Sequence, residues 1–137
     1  MGATMTTFAC RMITVAVDRN WREVYDFAAI PENFARWAAG LGRRFEKAEG
    51  GEWIVEDPDG RRIRVRFSPP NEFGVLDHTI RADGKETHVA MRVIRNGTGA
   101  EVMFALLRTP DMTEETFAAD AAQVQRDLQA LRALLEG

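Results

Sequence analysis

The chain has 137 residues, of which 45% are hydrophobic, and a formal net charge of -3. This length predicts a single domain over residues 1-137 that can bury a sizeable core. The slightly acidic balance gives no general attraction to phosphate backbones, so we expect no nucleic-acid partner. Cys10 is the one cysteine, which excludes an intrachain disulfide and a cysteine-cluster metal site.

The sequence contains no apolar run near the roughly 20 residues that cross a bilayer. Its first residues also lack the charged-then-apolar pattern of a signal peptide. We therefore expect a soluble, cytoplasmic protein without membrane insertion, and nothing in the sequence calls for a cofactor.

The first predicted element is a β-strand over residues 8–17. Its apolar residues are Met12, Ile13, Val15 and Val17. Because they both alternate and follow one another closely, the pattern is typical of a strand that is covered on both faces. Cys10 lies in this run and is predicted to be a small buried hydrophobe.

Two short helices are predicted between this strand and the next. Asn20, with Glu23 three positions later, has the pattern of an N-cap and capping box. Pro31 suits the first position of the second helix. Gly40 and Gly42 then end that helix.

From Arg43 to Arg108 the apolar residues alternate instead of recurring with helical spacing. Turn signals divide this region at Gly50-Gly51, Asp59-Gly60, Pro69-Pro70-Asn71, Asp83-Gly84 and Asn96-Gly97. These pairs favour hairpins, so we predict a meander of six strands. Alternation is complete over residues 62–67, which places Ile63, Val65 and Phe67 toward the core.

A long helix is predicted from Thr113 to Glu136. Its apolar stripe consists of Phe117, Ala121, Val124, Leu128, Leu131 and Leu135. Such a stripe needs an apolar surface to cover, and the meander supplies one. The predicted fold class is therefore α+β: a curved seven-stranded antiparallel sheet around a long C-terminal helix, with two short helices between strands 1 and 2.

This order of elements resembles the helix-grip arrangement of the START-like (SRPBCC) superfamily, which includes polyketide cyclases and lipid carriers. The more specific likeness is to a bacterial group within it that has no assigned activity. It lies in Phe73-Gly74-Val75-Leu76-Asp77-His78, Met91-Arg92-Val93, Asn96-Gly97, Gly99 to Arg108 and Pro110 to Asp120. The resemblance implies a cavity between the sheet and the helix that holds an apolar small molecule.

The expected function is binding or transport of a small hydrophobic ligand in this cavity, without catalysis. Inward positions of the strands and the helix stripe give the predicted lining. The predicted ligand-binding residues are Trp53, Val65, Phe67, His78, Met91, Phe104, Phe117, Asp120, Val124 and Leu128.

His78 shares its face with Leu76 and Ile80, so its ring is predicted to point inward. An inward histidine can orient a ligand or transfer a proton, which gives the alternative of a polyketide cyclase/dehydratase-like enzyme with His78 as acid or base. The favoured interpretation is a core histidine that is satisfied by a neighbour. His88 is predicted to face outward, so the two histidines form no metal site.

Asp120 and Arg108 are both predicted near the cavity mouth, where they either orient a polar ligand group or form an ion pair. Asp77 is predicted to pair with an arginine on the outer face of the sheet, such as Arg92.

Met103 and Leu107 are predicted on the outer face of the last strand. An exposed apolar patch there favours a homodimer. A second alternative for the function is a protein-interaction module that uses this outer face.

Overall fold

The computed structural model describes residues 6–137. The strands are β1 (Cys10–Val17), β2 (Arg43–Lys47), β3 (Glu52–Glu56), β4 (Arg62–Phe67), β5 (His78–Ala82), β6 (Lys85–Asn96) and β7 (Gly99–Leu107). The helices are α1 (Trp21–Ala28) and α2 (Pro31–Trp37), between β1 and β2, and α3 (Glu114–Glu136), after β7. A 3₁₀ turn, Glu49–Gly51, joins β2 to β3. The predicted α+β helix-grip fold is confirmed.

The strands form one seven-stranded antiparallel sheet in the order β1-β7-β6-β5-β4-β3-β2. Each strand from β2 to β6 pairs with the strand that follows it in the chain, as in a meander. The β5–β6 turn consists of Asp83 and Gly84, with φ of 52° and 73°. Two consecutive residues of positive φ match the twist of a tight hairpin, which explains the Asp-Gly pair at this position.

β1 is an edge strand that is buried on one face only. Ile13, Val15 and Val17 are buried, whereas Met12 is 51% exposed and Cys10 is exposed. The predictions of a strand covered on both faces and of a buried cysteine are therefore wrong. Small and apolar side chains at outward positions are common on protein surfaces, and they do not by themselves indicate a second covering layer.

The helix caps follow the sequence signals. The side chain of Asn20 accepts a hydrogen bond of 2.8 Å from the Arg22 amide at the start of α1. Thr113 accepts one of 3.0 Å from the Thr116 amide at the start of α3. Pro31 occupies the first position of α2. These side chains replace partners that the first amides of a helix lack.

The apolar stripe of α3 packs on β1, β7 and α2. Leu128 and Leu131 on this stripe are 0% exposed. A second, smaller core lies between β3 and β4 and contains Trp53, Val55, Ile63 and Val65. Two separate cores thus occupy different parts of the sheet, and a cavity lies beside α3 over β4 to β7.

Gly74 and Gly84 provide a matched pair for testing the fold, because their φ values are 72° and 73°. A Cβ at Gly74 would collide with the backbone carbonyl of Val93, whereas a Cβ at Gly84 would meet no atom within 4 Å. We expect Gly84→Ala to lose about 1–2 kcal/mol of unfolding free energy from the left-handed backbone alone. Gly74→Ala should lose clearly more in urea unfolding. Equal losses would contradict the close approach of these two segments.

Candidate functional site

A cavity of about 430 Å³ lies between α2, α3 and the inward faces of β4 to β7. Its volume falls within the range of roughly 300–1,000 Å³ that is usual for small-molecule sites. Much of its wall is apolar and includes Phe34, Trp37, Ile80, Val89, Met91 and Leu128. An apolar cavity of this size can hold a small organic molecule.

Six predicted ligand-binding residues line this cavity. They are His78, Met91, Phe104, Asp120, Val124 and Leu128. The sheet contributes three of these through inward positions of β5, β6 and β7, and α3 contributes the other three. The predicted location beneath the helix is therefore where the cavity lies, whereas a ligand-binding role for these residues stays a prediction.

Four other predicted residues, Trp53, Val65, Phe67 and Phe117, lie outside the lining. Trp53 and Val65 are opposite each other in the β3–β4 register and fill the small core there. Phe67 packs its ring 4.7 Å from that of Phe34. Phe117 is half-buried near the start of α3. The inward faces of the three strand residues were predicted correctly, but this part of the sheet is filled by side chains.

Trp37 was among the aromatic residues considered for an apolar pocket, but the predicted ligand-binding residues included none from α2 or from the turn between β3 and β4. Phe34 and Trp37 line the cavity from α2, and Asp57 and Arg61 line it from the turn. Asp127 was not among the predicted residues either, although it lies three residues after Val124 and four before Leu131. A carboxylate inside an apolar helix stripe was a signal in the sequence that could have identified it.

His78 is 5% exposed, and its Nδ1 lies 3.0 Å from the carbonyl oxygen of Leu76. A carbonyl only accepts hydrogen bonds, so Nδ1 donates and the neutral ring keeps a lone pair on Nε2. Nε2 has no hydrogen-bond partner among residues 6–137. Burial lowers the pKa of His78, which favours the neutral ring. One nitrogen is satisfied as predicted, and the other is an available acceptor.

Trp37 is 5% exposed and lines the cavity. Its indole Nε1–H is buried and has no acceptor in the described part of the chain. A buried donor without a partner costs about 1–3 kcal/mol. An acceptor on a bound molecule is one way to remove this cost.

Asp127 is 8% exposed and belongs to the same wall. Its Oδ2 accepts a 3.0 Å hydrogen bond from the Gly40 amide, and its Oδ1 accepts a 2.8 Å bond from Nε2 of Gln123. Burial nevertheless raises the pKa of Asp127, because the desolvation of the carboxylate outweighs these bonds. The Gly40 contact ties α3 to the segment that follows α2.

Asp120 is half-buried, lines the cavity, and has no ion pair or side-chain hydrogen bond among residues 6–137. Burial raises its pKa. Arg108 instead lies 3.9 Å from Glu114 and donates a hydrogen bond to the carbonyl of Met112. The predicted ion pair between Asp120 and Arg108 is therefore wrong, and the Asp120 carboxylate has no basic partner in the described chain.

The β3–β4 turn contributes three exposed residues to the lining, Pro58, Asp59 and Arg61. Asp57 accepts hydrogen bonds from the amides of Asp59 and Arg61 and from Nε of Arg61 at 2.9 Å. Arg61 also contacts Asp83 at the β5–β6 turn. Two carboxylates therefore hold the guanidinium of Arg61. Burial alone would raise the pKa of Asp57, but the hydrogen bonds from the amide and side chain of Arg61 outweigh it and lower this pKa.

On the outer face of the sheet, Asp77 pairs with Arg92 at 2.8 Å, as predicted. His88 is exposed there. Met103 is half-buried and Leu107 is 41% exposed. Met12 of β1 is opposite Ala105 of β7, so an apolar surface extends across these two strands.

Within residues 6–137, no cluster of three or more His, Cys, Asp or Glu side chains is arranged to hold a metal ion. No helix in the described part of the chain combines the length and the apolar character needed to cross a membrane.

No protein-family model matches the sequence, and no curated protein matches it either. Solved structures share its architecture. XoxI from Bacillus cereus has a TM-score of 0.75 at 14% identity, over 93% of this chain and 96% of that one.

DynU16, from the dynemicin biosynthetic locus, has a TM-score of 0.72 at 17% identity, over 93% of this chain and 47% of that one. The Aha1 dimer from Colwellia psychrerythraea has a TM-score of 0.72 at 11% identity, over 93% of this chain and 96% of that one. At such identities the likeness shows the fold alone.

The raised pKa of Asp127 predicts a pH-dependent loss of unfolding free energy that the Asp127→Asn variant does not show. The ordinary aspartate pKa is 3.8, and burial shifts that of folded Asp127 upward. The folded state then binds the proton more tightly than the unfolded state, so this contribution to stability is present at low pH and is lost as pH rises through the folded pKa. We expect the unfolding free energy of the wild type, relative to Asp127→Asn, to fall as the pH rises above the ordinary aspartate pKa of 3.8.

Chemical unfolding of both proteins at each pH measures this difference. The substitution Asp26→Asn serves as the control, because it removes the same charge from an exposed residue that does not line the cavity. A wild-type stability that rises with pH relative to Asp127→Asn would contradict the raised pKa.

Proposed function

We propose that this protein binds a small, mostly apolar molecule in the cavity beneath α3, as a carrier or sensor of the START-like (SRPBCC) kind. The observation that carries the proposal is a cavity of about 430 Å³ whose wall is largely apolar. A ligand of matching shape would remove apolar surface of this wall from water and gain dispersion contacts with it.

The unpartnered polar groups of the cavity wall indicate which hydrogen-bonding groups such a ligand should carry. The Trp37 indole can donate one hydrogen bond, and Nε2 of His78 can accept one. A hydroxyl group satisfies either, since it both donates and accepts, whereas a carbonyl satisfies only the indole. A few polar groups in an apolar wall are typical of sites that orient a small ligand.

Val124→Trp tests whether the cavity is the binding site. Val124 is a half-buried lining residue of α3, so a larger ring there should enter the empty space and displace the ligand. We expect the affinity for the fluorescent probe N-phenyl-1-naphthylamine to fall at least about tenfold. The unfolding free energy should stay within about 1 kcal/mol, because overpacking costs arise where no space exists.

Gln129→Trp is the matched control, since Gln129 is exposed on the same helix and does not line the cavity. It should bind the probe like the wild type. Unchanged probe binding by Val124→Trp, or no binding by the wild type, would argue against the proposal.

The second candidate is an enzyme of the polyketide cyclase/dehydratase kind. Among the ionisable groups that line the cavity, burial lowers the pKa of His78 and raises that of Asp120. Such a pair can supply a base and an acid. DynU16, one of the similar structures, comes from a biosynthetic locus.

Two amide substitutions of His78 separate binding from proton transfer. The Gln side chain can place an acceptor near the position of Nε2, whereas Asn can replace only the Nδ1 donor to Leu76. We expect His78→Gln to bind N-phenyl-1-naphthylamine roughly fivefold more tightly than His78→Asn, the equivalent of one hydrogen bond.

If the protein is an enzyme, both variants should instead lose turnover equally, because an amide transfers no proton. Equal probe affinities for the two variants would argue against Nε2 as a ligand acceptor.

A homodimer through the outer face of β1 and β7 stays a prediction, as does a protein-interaction role for that face. The exposed Met12 and Leu107 support it. One similar structure, that of Aha1, is a dimer in solution. Cytoplasmic localisation likewise stays a prediction.

A further inference from the structure

The lining of the cavity contains more acidic than basic residues. Its described lining contains four aspartates, Asp57, Asp59, Asp120 and Asp127, and one basic residue, Arg61. His78 adds no positive charge while its buried ring is neutral. The lining therefore carries more negative than positive charge.

Arg61 is not free to receive an anionic ligand. Its Nε donates to Asp57 at 2.9 Å, and its other end contacts Asp83. Arg108, the basic residue predicted at the mouth, lies outside the lining and contacts Glu114. A carboxylate, sulfonate or phosphate entering this cavity would have to break an existing ion pair to find a positive partner.

Asp120 makes the environment still less favourable for an anion. It lies on the α3 wall with no ion-pair or side-chain hydrogen-bond partner in the described chain. Like charges in a partly desolvated site repel more strongly than in water. The unpartnered indole of Trp37 needs only a neutral acceptor, since it is a single uncharged donor.

From this arrangement we infer that the cavity selects an uncharged hydrophobic molecule and rejects one that bears a carboxylate, sulfonate or phosphate. The inference rests on the proposed function and narrows its ligand class. Free fatty acids and anionic lipids fall outside this class, whereas aromatic or alicyclic molecules with hydroxyl or carbonyl groups fall within it.

Two fluorescent probes with the same aromatic body provide the test. N-phenyl-1-naphthylamine is uncharged, and 8-anilinonaphthalene-1-sulfonate carries one negative charge. We expect the wild type to bind the uncharged probe at least about tenfold more tightly. Because the uncharged probe is also more apolar, the decisive comparison is between charge variants that keep the shape of the side chain.

Asp120→Asn should raise the affinity for the sulfonate probe several-fold and leave that for the uncharged probe unchanged. Asp26→Asn removes the same charge from an exposed position on α1 that does not line the cavity, and should change neither affinity. This control separates the field inside the cavity from the net charge of the protein.

The inference is supported if the ratio of the affinity for the uncharged probe to that for the sulfonate probe decreases in Asp120→Asn and stays unchanged in Asp26→Asn. Equal or tighter binding of the sulfonate probe by the wild type, with both probes lost in Val124→Trp, would overturn the charge selection while the proposed function stands. Equal effects of Asp120→Asn and Asp26→Asn would also overturn it. Failure of the wild type to bind either probe would overturn the proposed function and this inference together.

Discussion

The pairing of β1 with β7 is the constraint on which the rest of the structure depends. β1 lies at one edge of the sheet and β2 at the opposite edge, so the chain between them must cross the whole sheet. α1 and α2 make this crossing and pack on β6, β7 and α3 as they do so. α3 then returns from β7 to lie against β1. One strand pairing thus sets two walls of the cavity, and the meander supplies the third.

Parity along the strands predicted which residues face inward, because side chains alternate with a period of two. It could not predict how far the opposite wall lies from each of them. Trp53 and Val65 face inward as expected, yet they meet each other and fill one end of the sheet. Met91 and Phe104 face the same way and line open space. The difference arises from where α3 lies, which no local pattern encodes.

The other differences between prediction and structure have separate physical causes. Met12 and Cys10 are apolar enough for a buried position, but they point to the outer face of the sheet, where Ile94 of β6 and Leu107 of β7 are exposed as well. Arg108 has Glu114 six residues away, so a partner near in sequence takes the place of Asp120. The caps at Asn20 and Thr113 were predictable because their partners lie within three residues.

The polar groups of the cavity differ in how firmly the fold holds them. The ring of His78 is oriented by the Leu76 carbonyl just before its own strand, and Asp127 is held by the Gly40 amide. Both orientations exist before any ligand arrives, so binding need not pay again for ordering them.

Asp120 has no such anchor in the described chain, so in the proposed selection of ligands it would act through its charge rather than through a fixed contact. The buried groups therefore suit the recognition of shape and hydrogen bonds, whereas Asp120 suits discrimination by charge at the wall of the cavity.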